Sequence, residues 1–267
     1  MDDFDKKEVA EYDSPSIPLI RIIAADETSW KSIESIPISY YSHNEIPGAS
    51  TERLADSNFM LYDGTRVFII VSECISPRLK GLIEDAKDRD ILTIVLTSLS
   101  SDVQIKCDAM GVMPPSQFRQ CVEAVLEEFL KDSYTCVDYK DIEMIFRNSG
   151  SFSFYEQTGD DPEQIMAALR QQMNLSGVTC YLIYAVCNPH YLENRYAMRQ
   201  LSIFQDLFEE VEIDDGAWSV RHDERLDPRT IRFSVFTLRK KVEKDSDHKP
   251  SFMFLLRKKL AERFLRF

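Results

Sequence analysis

Three short runs in the first hundred residues are apolar without alternation: 17–25 (IPLIRIIAA), 66–72 (RVFIIVS) and 91–97 (ILTIVLT). A strand with one wet face alternates polar and apolar side chains, so a run that does not alternate must be covered on both faces. Between the second and third runs, residues 77–89 (PRLKGLIEDAKDR) place Leu79, Leu82, Ile83 and Ala86 on one helical face, with Pro77 near the start. Strand, helix, strand with continuously apolar strands predicts a parallel sheet with helices packed on it. Residues 115–131 then read as a long helix, with Phe118, Cys121, Val122, Val125, Leu126 and Phe129 turned inward.

After Asp132 the pattern changes. Helices are predicted at 138–147, 162–173 and 192–208, and strands at 152–155, 178–186, 210–214, 217–221 and 231–238. The last strand alternates (IRFSVFTL), so the second half is mixed and partly antiparallel. The expected fold is α/β and two-lobed: a parallel-sheet N-terminal lobe, a long central helix and a smaller mixed-sheet C-terminal lobe, with an amphipathic helix at the C-terminus. The expected divisions are an acidic disordered lead-in (1–16), the first lobe with the central helix (17–132), the second lobe (133–239), a polar linker (240–250) and the terminal helix (251–267).

Composition removes several functions. The net charge is −13 and no basic stripe precedes the tail, so no nucleic acid is expected as a partner of the body. The start, MDDFDKKEVAEYDSPS, lacks an apolar core of signal-peptide type, and no apolar run reaches membrane-spanning length. Cys74, Cys107, Cys121, Cys136, Cys180 and Cys187 form no CxxC pair, and four of them lie in apolar or periodic segments. Reduced, buried thiols in a cytoplasmic protein are expected. His43, His190, His222 and His248 show no metal-ligand spacing, so no metal is expected. His222, Asp223 and Glu224 read as a solvated turn, and the run from Glu209 to Asp215 as a helix-to-strand turn.

The last seventeen residues, SFMFLLRKKLAERFLRF, reverse the charge. They hold five Arg or Lys and one Glu, a net +4, which leaves −17 on the other 250 residues. At about 100° per residue, Met253, Leu256, Leu260, Phe264 and Phe267 fall in a stripe about 80° wide. Lys258, Lys259, Glu262 and Arg266 lie opposite, and Arg257 and Arg263 flank the stripe. That pattern suits a helix lying in an anionic membrane interface: Phe252 and the stripe enter the acyl boundary while the basic residues meet headgroups. Its length, about 25 Å at about 1.5 Å per residue, is too short to span. The other reading is a helix docked on the body or in a partner's groove.

Short motifs give the chain a resemblance to the tubulin/FtsZ superfamily over about 17–239. Residues 136–145 (CVDYKDIEMI) resemble the FtsZ synergy loop, of pattern NxDxxD, and the helix after it; Asp138 and Asp141 match its acidic positions, and Cys136 replaces the asparagine. Residues 227–238 (DPRTIRFSVFTL) resemble the strand that closes the FtsZ C-terminal lobe, and 66–97 resembles the strands that flank its glycine-rich phosphate loop. The resemblance implies an active site shared between two subunits, one holding the nucleotide and the next presenting the acidic loop. The glycines are missing, however. Where a glycine-rich turn should follow the first strand the chain reads AADETSW (24–30), and the GGGTGTG-type loop is replaced by SECISPRLKG (72–81). Eight glycines in 267 residues is about 3 %, against about 7 % in ordinary proteins. Glycine lets backbone N–H groups approach phosphate oxygens, whereas Asp26, Glu27 and Glu73 repel them.

The expectation is therefore a non-enzymatic assembly or regulatory factor with no cofactor. It would use Asp138 and Asp141 toward an FtsZ- or tubulin-type filament or toward itself, and its tail toward the inner face of the cytoplasmic membrane. A purely local role for the two aspartates, as a helix cap and a first-turn charge, is the alternative for that pair. An active GTPase with an unusual pocket and a soluble scaffold whose tail binds a partner protein are the alternatives for the whole chain.

Overall fold

The structure, a computed structural model, describes residues 19–41, 48–55, 61, 64–98, 105–131, 133–134, 137–193, 197–209 and 211–240. The terminal helix read at 251–267, with Phe252, Met253, Leu256 and the rest of its set, lies outside the described residues. So do the lead-in, most of the linker and Cys136.

The non-alternating runs form the buried parallel strands expected of them: β1 (Ile20–Ala24), β3 (Val67–Ser72) and β4 (Leu92–Thr97), each buried along its length. Between β1 and β3 lie α1 (Glu27–Ile33) and β2 (Ala49–Arg53), in a stretch whose polar sequence predicts no element. Asp26 makes α1 possible: its side chain accepts the Ser29 N–H at 2.8 Å and caps the helix. β2 is an edge strand and buries only Ala49, which is why it carries no apolar signal. Helix α2 (Pro77–Asp88) has Pro77 in its first turn, where no N–H is needed, and Ser76 as its cap.

The short strand β5 (Ala109–Val112) follows, then a 3-10 turn at Pro115–Gln117 and the central helix α3 (Phe118–Leu130). The second half comprises α4 (Tyr139–Arg147), β6 (Ser151–Gly159), α5 (Pro162–Gln172), β7 (Cys180–Cys187), α6 (Pro189–Leu192), α7 (Ala197–Leu201), β8 (Asp215–His222) and β9 (Ile231–Arg239).

Two expectations need correction. The single helix read at 192–208 is α6, α7 and a 3-10 segment at Ser202–Phe208. Leu201, Phe204 and Leu207 are buried at a spacing of three, and a three-residue turn stacks that spacing on one face. The strand read at 210–214 is absent over 211–214: Val211 closes a turn on Phe208, and the strand starts at Asp215.

The strands form one nine-stranded sheet in the order β2-β1-β3-β4-β5-β6-β9-β7-β8. The first five are parallel; β9 runs antiparallel to both β6 and β7, and β8 runs parallel to β7. The two lobes meet at a narrow seam, where β5 and β6 share only the pairs Met110–Ser151 and Gly111–Phe152. One face of the whole sheet is covered by α1, α3 and α4 and forms a single apolar cluster running from Ile20 and Ile22 to Phe236 and Leu238. On the other face α2 packs over the first lobe, while α5 and the Ser202–Phe208 segment pack over the second. The central helix therefore bridges the seam, and its burial is shared by both lobes.

Candidate functional site

In an open parallel sheet, ligands bind in the crevice beyond the carboxyl ends of the strands. Here that crevice begins where β1 and β3 end, and a side chain of the protein occupies it. The Asp26 carboxylate accepts the Ser29 N–H through Oδ1 at 2.8 Å and the Glu73 N–H through Oδ2 at 2.8 Å. The Ser72 hydroxyl reaches the same Oδ2 at 3.4 Å and also donates to the Cys74 carbonyl. One carboxylate thus ties the start of α1 to the loop after β3, across 47 residues of chain. At these two turns the Ser29 and Glu73 N–H groups are engaged by Asp26, and the Cys74 N–H by Ser72 Oγ at 3.2 Å. The start of α2 is engaged as well, by Ser76 Oγ at 3.2 Å from the Leu79 nitrogen. Gly81, the glycine nearest to this loop, lies inside α2 with open space around it. It builds no cradle.

The second candidate lies at the opposite edge of the parallel strands. The end of α3 reaches Gly48: a Cβ there would fall 3.2 Å from a Leu130 methyl. The Gly48 carbonyl accepts the N–H of Ile20, the first residue of β1. The end of α3 therefore sits beside the amino ends of β1 and β2, away from Asp26, and α4 starts against it through the Phe129–Tyr139 ring contact. Asp138 caps α4 by accepting the Asp141 N–H at 3.0 Å, and the Asp141 carboxylate accepts the Asp138 N–H at 3.2 Å. The pair is a reciprocal capping box on an exposed helix start. Asp138 thus serves as the helix cap and Asp141 as the charge in the first turn.

A polar cavity of about 450 Å³ opens beside them, lined by Glu128, Lys131, Ser133, Asp138, Tyr139 and Arg221 among others. At its back Arg221 is buried, with Nη2 donating to the Glu128 carboxylate at 3.1 Å and to the Glu128 carbonyl at 3.0 Å. Ser219 Oγ adds a bond to Glu128 at 2.8 Å. Burial pushes the Glu128 carboxyl up, with Arg221 and Ser219 opposing.

Next to Glu128, Glu127 takes both oxygens to Arg232 Nη2 of β9, at 2.6 Å each. These buried ion pairs join the central helix to the second lobe, and composition did not announce them. The signal was positional: two glutamates inside an apolar helix, and an arginine in each of two apolar strands. Asp223, read from sequence as part of a solvated turn, is buried and paired with Arg225 at 2.7 Å. Burial pulls its pKa up, but the hydrogen bonds from Arg225 outweigh this and hold it low. Arg225 in turn lies over the Tyr40 ring at 3.6 Å, with Lys131 at 3.5 Å from the same ring.

Cys107, Cys121, Cys180 and Cys187 are buried thiols within the apolar clusters, and Cys74 is exposed. Among the described residues no group of three or more His, Cys, Asp or Glu could hold a metal ion. No helix among them is long and apolar enough to cross a membrane.

No family model matches the sequence, and no curated protein matches it. Solved structures do. An empty FtsZ dimer from M. jannaschii superposes with a TM-score of 0.59 at 14 % identity, over 87 % of this chain and 95 % of that one. GDP-form protofilaments of TubZ from Bacillus thuringiensis serovar israelensis give 0.57 at 9 % identity, over 94 % and 91 %. The GTPγS-form TubZ protofilament gives 0.55 at 10 %, over 94 % and 92 %. Identities this low speak for architecture alone, and the agreement spans both lobes and the central helix: the chain has a tubulin/FtsZ-like fold.

Proposed function

We propose that this protein is a non-enzymatic, FtsZ-like assembly or regulatory factor that engages a cytoskeletal filament, or copies of itself, through its body. The observation that carries this reading is the Asp26 carboxylate, which fills the place of an anion at the end of β1. A triphosphate approaching that turn meets a fixed negative charge and N–H groups already in use, so the ground state for nucleotide is repulsive. The neighbours supply the filament half of the argument, since FtsZ is found there as a dimer and TubZ as protofilaments. The two candidate sites lie at opposite edges of the parallel strands, which suits head-to-tail contact. In such a contact one subunit's loop at Asp138 and Asp141 meets the next subunit's strand ends. A chain with a blocked first edge and an intact second one caps or joins a filament from one side.

The tail completes the proposal. The apolar stripe and the net +4 charge of residues 251–267 support a location at the anionic inner face of the cytoplasmic membrane. A single such helix binds weakly, so attachment depends on several copies or a multivalent partner. Flotation of the full chain with phosphatidylserine-containing vesicles is expected, and Leu260→Glu with Phe264→Glu is expected to abolish it. Flotation that survives this double change would remove the tail from the account.

The filament proposal is tested by sedimenting the full chain with and without GTP, alone and with a GTP-loaded FtsZ-type filament. The expected result is no GTP-dependent pellet from the chain alone, and a change in the amount or length of the partner's polymer. The GDP and GTPγS forms of the TubZ neighbours favour a second reading, an active nucleotide-dependent polymer. GTP-dependent sedimentation of the chain by itself would establish that reading.

A further inference from the structure

The buried contact between the central helix and the second lobe contains more negative charge than its cation can match. Glu127 of α3 holds Arg232 of β9 at 2.6 Å. Glu156 of β6 approaches the Nε of the same guanidinium at 3.8 Å and accepts the Ser234 hydroxyl at 2.8 Å. Among the described residues Arg232 Nε has no hydrogen-bond partner. Among the described residues, the other charges near Glu127 have partners of their own: Lys131, one turn later at the end of α3, sits over the Tyr40 ring and donates to the Tyr40 carbonyl. Asp223, from the turn after β8, is bound by Arg225. Glu123, one turn earlier on α3, is held by Arg119 at 3.2 Å. Tyr40 and Tyr41, from the first lobe, face the cluster as neutral phenols whose ionisation burial opposes.

We infer that Glu127, Glu156 and Arg232 form a proton-operated clasp between the central helix and the second lobe, closed while one of the two carboxyl groups is protonated and loosened when that proton leaves to water. With the proton present, one guanidinium faces one negative charge. Without it, two carboxylates, one buried and one mostly buried, face one guanidinium in a site that screens them poorly. Burial is the main cause pushing the Glu127 carboxyl up, to about 7, against the opposing pull of Arg232. Glu156 moves in the same direction for the same reason. The folded state therefore binds a proton that the unfolded chain, titrating near 4.5, has released. Stability is fully present below the unfolded pKa and is lost as pH rises through the folded one. The clasp does not rest on the filament proposal, since neither Asp26 nor the Asp138 and Asp141 pair takes part in it.

The test is thermal and urea unfolding of the full chain between pH 5.5 and 8, for the native sequence and for Glu127→Gln. The amide keeps an acceptor for Arg232 and removes the excess charge. In the native protein the unfolding constant should rise by up to about tenfold per pH unit as pH approaches 7, and flatten above it. In Glu127→Gln the rise should be clearly smaller, the remainder coming from Glu128, whose carboxyl burial also pushes up. Equal slopes in the two proteins, or stability that increases with pH over this window, would overturn the inference. A second readout uses the native chain alone. Cys121 is buried in α3 beside Glu156, and Cys107 is buried in the first lobe. The labelling rate of Cys121 relative to Cys107, read by mass spectrometry, should grow severalfold from pH 6 to pH 8. An unchanged ratio counts against the clasp.

Discussion

The Asp26 carboxylate ties the start of α1 to the loop after β3. Sequence alone marks it as a carboxylate in a place where a phosphate-binding turn needs glycine. Its partner 47 residues away is not legible there, because the bond to Glu73 exists only once β1 and β3 lie side by side. Asp26→Ala removes a helix cap and leaves the Glu73 N–H without its acceptor, so we predict a loss of about 1–3 kcal/mol, read by urea unfolding at pH 7. Asp138 separates two roles by a gentler change. Asparagine caps as well as aspartate, so Asp138→Asn should alter stability by less than about 0.5 kcal/mol. If the charge also faces a filament, the same variant should lose its effect on a partner's polymer while its melting curve stays in place. Glu127, Glu128, Arg221 and Arg232 were not singled out from sequence. A charged residue inside an apolar run shows its pairing only when the facing element is known.

Among the elements, legibility followed burial. Runs buried on both faces declared themselves, and β1, β3, β4 and β7 fall where their hydropathy puts them. β2 and β5 did not, because one is a polar edge and the other is four residues long. The β5–β6 seam could not be read either, since parallel pairing of strands some forty residues apart has no local signature. Gly111 is its most sensitive point. A Cβ there would lie 2.6 Å from the Phe152 ring, which is held in turn against Phe146 and Phe236. Gly111→Ala is predicted to cost about 1–3 kcal/mol by overpacking, measured as a lower urea midpoint with an unchanged slope. A neutral result would mean that Phe152 can swing aside and that the seam is looser than described.

For the whole molecule, two facts pull in different directions. The architecture is shared with FtsZ and TubZ structures over more than four-fifths of the chain. The chemistry expected of such an architecture meets a carboxylate at the strand ends. Fold was readable from the order of weak motifs, because order is what topology preserves. The expected loss of nucleotide chemistry rests on a departure from that order, the missing glycines. The measurement that tests this most directly is a titration of the purified full chain with a fluorescent GTP analogue, with the denatured protein checked for released nucleotide. The account predicts no saturable binding at micromolar concentrations and no nucleotide in the supernatant. Saturation at micromolar concentrations or below, or stoichiometric GDP or GTP in the denatured sample, would contradict it and make Asp26 a side chain that moves aside for phosphate.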